Sequence, residues 1–228
     1  MKHKALVAGV AFLGALLSGC MSISTIHSAR PIPKGTAYAT SGLFAVGVEP
    51  TKDYTTVDDE GETQVQDLSF VWPSGEQSIR YGFVEWFDAG AKLYFPGIGI
   101  DLNFMVVNQK RFALSLDPSA TFIYLYGGGA HLFVSTVWLP ILMDVVETKY
   151  VTMTVGPKAG LLIVKATADV DDSIYSARNL DGYVGGVFGV KFKFGEEFFL
   201  MPEFDGVWQF EEQAFWWQAG ISLGYQIL

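Results

Sequence analysis

The chain has 228 residues, 50% of them hydrophobic and 17% charged, with a formal net charge of -9. Soluble domains usually carry about 25% charged residues, yet no uninterrupted apolar run of about 18 residues is present to cross a membrane as a helix. High apolarity without such a run points to strands, the acidity argues against nucleic acid as a partner, and a single cysteine excludes an internal disulfide framework.

Residues 1–19 read as a secretory leader. Lys2 and Lys4 supply its positive start, and residues 5–17 an apolar core too short to span as a helix. Leu17-Ser18-Gly19-Cys20 follows. These four positions resemble the bacterial lipoprotein box, in which the cysteine is acylated and becomes the first mature residue. The resemblance implies lipidation of Cys20. With Met21 next, where a retention signal would place Asp, it also implies delivery to the outer membrane. Losing Lys2 and Lys4 would take the net charge to about -11 on the same counting. Residues 20–35 are polar, with Pro31 and Pro33, and read as a lipid-anchored extended tether.

Beyond residue 36 the sequence breaks into alternating segments, as half-buried strands do. Ten are expected, at 37–48, 79–84, 89–95, 98–106, 112–125, 131–143, 150–164, 183–194, 198–210 and 215–228. Residues 49–77 read as a long acidic loop with a short hairpin near 68–72, and residues 165–181 as a second long polar loop. Asp58-Asp59-Glu60 lacks the spaced oxygen ligands of a calcium loop. The third and fourth strands are shorter than the roughly 9–11 residues a spanning strand wants, so eight strands is the rival count.

Parity separates the faces. In the last segment Trp217, Ala219, Ile221, Leu223, Tyr225 and Ile227 share one side, and Gln218, Gly220, Ser222, Gly224 and Gln226 the other. Segments five, seven, eight and nine repeat that pattern, whereas segment six is apolar on both faces. Alternation fits a soluble cup with its apolar face inward, or a membrane barrel with that face outward. The polar face is mostly Gly, Ser and Thr with isolated charges, which suits a narrow interior better than a solvated exterior. Bulky aromatics near the segment ends suit interfacial girdles. In pattern, residues 36–228 resemble a small Gram-negative outer-membrane β-barrel. Gln218-Ala219-Gly220-Ile221-Ser222-Leu223-Gly224-Tyr225 resembles the signal by which closing strands are recognised for assembly, carried here by Gln218, Gly220, Leu223 and Tyr225. Such proteins usually end in Phe, and this chain ends in Leu228.

The expected fold class is therefore all-β, a closed antiparallel up-and-down barrel after a cleaved leader. The last strand should pair with the first. The interior-facing charges form a candidate lumen network: Arg80, Lys92, Lys158, Lys191 and Lys193 with Asp101, Asp117, Glu203 and Asp205. Unpaired charge in a narrow lumen costs several kcal/mol, so these should pair. A salt-bridged plug is the main expectation and a narrow pore the alternative.

No catalytic constellation is expected. His131 and Ser135 share a face but lie about 13 Å apart along a strand, too far for a nucleophile and its base. Residues 127–129 are a glycine loop tip in the wrong context for nucleotides. The functional expectation is a non-enzymatic outer-membrane barrel lipoprotein with an envelope-structural, surface-interaction or narrow-pore role. A rim-acting lipid-modifying enzyme and a lipocalin-like carrier are the alternatives. No cofactor or metal is expected. The expected partners are outer-membrane lipid and the lipoprotein-processing and barrel-assembly machinery, not nucleic acid; the sequence does not fix the oligomeric state, and a monomer is favoured.

Overall fold

The computed structural model of the chain describes residues 23–25, 27–50, 54–57, 63–66, 69–127, 130–170 and 173–228. The strands are β1 (Ala37–Pro50), β2 (Tyr54–Val57), β3 (Thr63–Gln66), β4 (Phe70–Val84), β5 (Phe87–Tyr94), β6 (Gly97–Gln109) and β7 (Phe112–Leu116). They are followed by β8 (Ser119–Gly127), β9 (Ala130–Glu147), β10 (Val151–Val170), β11 (Ser173–Phe194), β12 (Phe198–Gln209) and β13 (Ala214–Gln226).

All but β2 and β3 join one antiparallel sheet that closes on itself. β7 and β8 are two halves of one wall strand. β7 lies between β6 and β9, and β8 continues between the same neighbours. The break is Asp117-Pro118, where proline has no N–H for the ladder. Leu102 N bonds Pro118 O and Asp117 N bonds Pro140 O, so the wall stays stitched across it. Counted this way the barrel has ten strands, and its seam is β1 against β13, from Tyr38↔Gln226 to Pro50↔Ala214.

Three expectations are corrected. Residues 165–170 and 173–181, expected as a loop, are a continued ladder, from Lys165↔Arg178 to Val170↔Ser173. Their polar composition reads as a loop, but backbone pairing between β10 and β11 does not require an apolar side chain at every second position. The wall strand expected at 79–84 starts at Phe70, so residues 70–77 are barrel and not loop. The hairpin in the long connection is β2–β3 rather than 68–72. The strands expected at 89–95 and 98–106 are wall strands β5 and β6, and β6 is 13 residues long.

The exterior is apolar. Leu43, Ile79, Leu93, Ile98, Leu139, Leu161, Ile221 and Leu223 are exposed around the wall, and Phe188 and Phe192 of β11 point outward. Rings mark both ends. Phe83, Phe87 and Phe104 stack near the short turns, with Phe198 against Tyr225 further round. Tyr124, Tyr126 and His131 cluster near the opposite end. An aliphatic band between aromatic belts is the surface of a membrane-spanning barrel, the reverse of a soluble cup.

The two ends differ. One carries short turns at residues 85–86, 110–111, 148–150 and 195–197, together with the start of β1. The other carries the connection from β1 to β4. There the ladders of β8 to β11 also run past Ile123↔Gly97 and Tyr183↔Gln209, the last pairs with their neighbours. We call these the turn side and the loop side.

Candidate functional site

Residues 23–25 and 27–35, within the stretch read in the sequence as an extended tether, run up the inside of the barrel. Gly35, at φ 78°, takes the left-handed conformation that turns the chain into β1. Its N–H bonds Gly82 O at 2.8 Å on the turn side. Ile32 N donates to Asp88 Oδ2 at 2.7 Å. Ala29 N and Arg30 N donate to the two oxygens of Asp144 at 3.0 and 3.1 Å. Thr25 N donates to Glu203 at 2.6 Å, and Ile23 N to Gln218 Oε1 at 3.0 Å. Lysines serve the carbonyls: Lys92 donates to Ser24 O at 2.6 Å, and Lys158 to Ile23 O. An extended strand lacking a ladder partner thus has its donors met by wall carboxylates and an amide. Buried backbone groups left without partners would be costly.

Side chains of the segment add sequence-dependent contacts. Ser24 Oγ bonds both oxygens of Glu76 at 2.9 Å. His27 Nε2 lies 3.0 Å from Asp117 Oδ2, and Ser28 Oγ accepts from Lys191 at 3.0 Å. Arg30 reaches the turn-side mouth. There its Nε meets Glu147 at 2.6 Å and its other nitrogens meet Asn108 and Gln109.

The charges expected in the lumen are placed as follows. Arg80 Nε donates to Asp88 at 2.9 Å, Nη1 donates to Asp101, and Nη2 lies 4.0 Å from Asp117. Lys92 lies 3.7 Å from Glu76 and 3.9 Å from Asp101. Lys158 pairs with Asp205 and lies over the Trp138 ring, 5.3 Å from its centroid. Lys191 sits 4.8 Å from the centre of the Phe199 ring. Lys193 is at the turn-side rim, 2.8 Å from Glu147. These pairs divide between the wall and the threaded segment, so Lys191, Lys193, Glu203 and Asp205 each find a different partner.

Sequence reasoning missed Glu76, Asp88, Asp144 and Glu147, which lie in the expected loop at 49–77 or between the expected strands. Glu76, Asp88 and Asp144 are all buried. A signal existed in part. Glu76 and Ser78 share the parity of Arg80, and extending the alternation back past Ile79 would have brought Glu76 inside.

His27, Asp101 and Asp117 place ligand atoms within 4.8 Å of one another. The Arg80 guanidinium already bonds Asp101, and Lys92 is 3.9 Å from it. A metal ion would face two fixed cations, so the cluster is an ion-pair network.

Above Ile23 the lumen turns apolar. Ile23, Tyr94, Trp138, Leu162, Tyr183 and Trp216 belong to one buried cluster, with Trp72 packed against it. A cavity of about 10 Å³ beside Ile23, Lys92, Asp117, Thr121 and Lys158 has room for one water.

Tyr124 Oη and His131 Nδ1 are 2.7 Å apart, and the Tyr126 ring centre is 4.7 Å from that of His131. This is an interfacial aromatic cluster. Ser135, on the same strand face, is buried between ladder neighbours Phe122 and Ile163. Of the four candidate assembly-signal residues, Gln218 faces the lumen and bonds Ile23 N, while Leu223 and Tyr225 face outward. Gly220 lies beneath the inward Phe44 ring, where a methyl group would overlap the ring and the Leu43 carbonyl. Cys20, the leader and Asp58-Asp59-Glu60 lie outside the described residues.

No family model and no curated protein matches the sequence. Among solved structures, the fold is similar to Ail, the attachment invasion locus protein of Yersinia pestis, at 11% identity and TM-score 0.36, covering 85% of this chain and 99% of that one. It is also similar to the outer membrane protease OmpT from Escherichia coli, at 7% identity and TM-score 0.47, covering 90% and 100%. Neisserial surface protein A is a third, at 10% identity and TM-score 0.38, covering 84% and 99%.

Proposed function

We propose that this chain is an outer-membrane lipoprotein barrel sealed by its own amino-terminal segment. It then works through its two faces, as an envelope-structural or surface-interaction protein, and neither conducts nor catalyses. The filled lumen carries this reading. Wall carboxylates and lysines engage the segment at nearly every level from Asp88 up to Gln218, and an apolar layer lies above it. Short turns belong to the periplasmic side of bacterial barrels, so the turn side faces the periplasm and the loop side the exterior. Cys20, at the end of a lipoprotein-type box, carries the acyl groups.

Two measurements test it. In planar bilayers the intact protein should give no stepwise conductance; steady channels would sink the sealed-barrel reading. Labelled palmitate should enter the native chain and be lost from Cys20→Ala. Retained label in that variant would remove the anchor from Cys20.

A further inference from the structure

The turn-side rim is uneven in charge. The turns at 110–111 and 148–150 and the end of β11 carry Lys110, Arg111, Lys149 and Lys193, and Arg30 of the threaded segment joins them. Within residues 108–112, 146–151 and 192–194 the single acid is Glu147, which takes both Arg30 at 2.6 Å and Lys193 at 2.8 Å. The remaining turns at this end carry Glu85, Glu196 and Glu197 against Lys34. Cations therefore gather on the sector of the rim from β6 to β11, and acids dominate the rest.

The sector is held together from within. Arg30 bonds Asn108 and the Gln109 carbonyl beside one turn and Glu147 beside the next, and Lys193 N bonds Tyr150 O at 2.7 Å. The two turns and the end of β11 are thereby fixed side by side. Lys110, Arg111 and Lys149 are exposed, and among the described residues their side chains meet no carboxylate or other hydrogen-bond acceptor. Lys149 Nζ lies 5.6 Å from the centre of the exposed Tyr150 ring. The adjoining wall turns Val146, Phe192 and Phe194 outward. Three unpaired cations thus stand at the edge of a lipid-facing surface, where positive charge attracts anionic headgroups.

We propose that this sector binds an anionic phospholipid, with the phosphate against Lys110, Arg111 and Lys149 and the acyl chains along the outward face of β9 to β11. The apolar wall beside the cations is what selects a lipid over a soluble anion. The choice of phospholipid rests on the sidedness proposed above, which puts the turn side in the periplasmic leaflet; the preference for negative charge does not.

The intact protein in detergent, its folding checked by heat-modifiable migration, is titrated with phosphatidylglycerol or with phosphatidylcholine of identical chains, and bound lipid is counted by native mass spectrometry. The native chain should bind phosphatidylglycerol more tightly. Each cation beside a charged headgroup changes affinity by about fivefold, so Lys110→Gln/Arg111→Gln/Lys149→Gln should remove most of the preference, whereas the loop-side pair Lys165→Gln/Arg178→Gln should leave it within about twofold. Glycerol 3-phosphate, which has the phosphate without the chains, should not compete at the lipid's concentration. Equal binding of the two lipids by the native chain, a preference that survives in the triple variant, or full competition by glycerol 3-phosphate overturns the proposal. So does a triple variant whose only loss is binding to isolated cell-wall sacculi, which would assign the cations to an anionic polymer. Sidedness is read separately. A Lys110→Cys thiol in a Cys20→Ala background should react with a membrane-impermeant maleimide only after the outer membrane is opened. Labelling on intact cells overturns the sidedness and the phospholipid with it; a native chain without lipid preference, while that thiol stays protected, defeats the lipid site alone.

Discussion

Single side chains hold this lumen together unequally, because some serve several partners at once. Arg80 faces Asp88, Asp101 and Asp117. Removing one member of a buried ion network leaves uncompensated charge and typically costs about 3–5 kcal/mol. Arg80→Gln should therefore lower the denaturant midpoint of the folded barrel strongly, and adding Asp101→Asn should recover part of the loss; no recovery would mean the two do not interact. Asp144 is fully buried and accepts from Ala29 N, Arg30 N and Thr154 Oγ1. Asp144→Ala strands two backbone donors and should destabilise by about 2–4 kcal/mol. The same substitution should make residues 23–35 cleavable by protease added from the turn side in detergent. Gly220→Val forces a side chain into the Phe44 ring. Its destabilisation should shrink in the double variant with Phe44→Ala, as a coupled pair requires.

At the level of elements, much was readable. Alternation in the segments containing Gln218, Lys158, Lys191 and Glu203 set the inward face correctly, because a period of two is unambiguous when one side is small or charged. The segment holding Trp138 gave no such signal. Its inward Leu132, Val134 and Trp138 belong to the loop-side apolar layer while its outward Val137 and Leu139 face lipid, so both sides are greasy. Asp117-Pro118 was hidden for a different reason. A proline break inside a wall strand is tolerated only through contacts with Leu102 and Pro140 on its neighbours, which are distant in sequence. The path of residues 23–35 was illegible because it has no periodicity. Its backbone is bonded by side chains scattered from Glu76 to Gln218, and no local pattern encodes that. Asp88 is the clearest example: it falls between the segments expected at 79–84 and 89–95, yet it bonds both Arg80 and Ile32 N.

For the whole molecule, charge bookkeeping separates a closed barrel from an emptied one. The wall turns Glu76, Asp88, Asp101, Asp117, Asp144, Glu203 and Asp205 inward, against Arg80, Lys92, Lys158 and Lys191. The surplus of acceptors is met by N–H groups of the threaded segment. Deleting residues 23–33 should open a conducting path that favours cations, read as a reversal potential in asymmetric salt. An anion preference, or no conductance from a variant that still migrates as a folded barrel, would contradict this account of the lumen.

The seam between β1 and β13 bears on how such an object can be made. Gln218 lies in the strand that closes the cylinder, and its amide oxygen holds Ile23 N. The earliest described residue and the latest strand are thus joined by one hydrogen bond. A cylinder cannot shut around its own leading end unless that end is already inside or is drawn through afterwards. Capture of the leading end and completion of the wall are therefore coupled events.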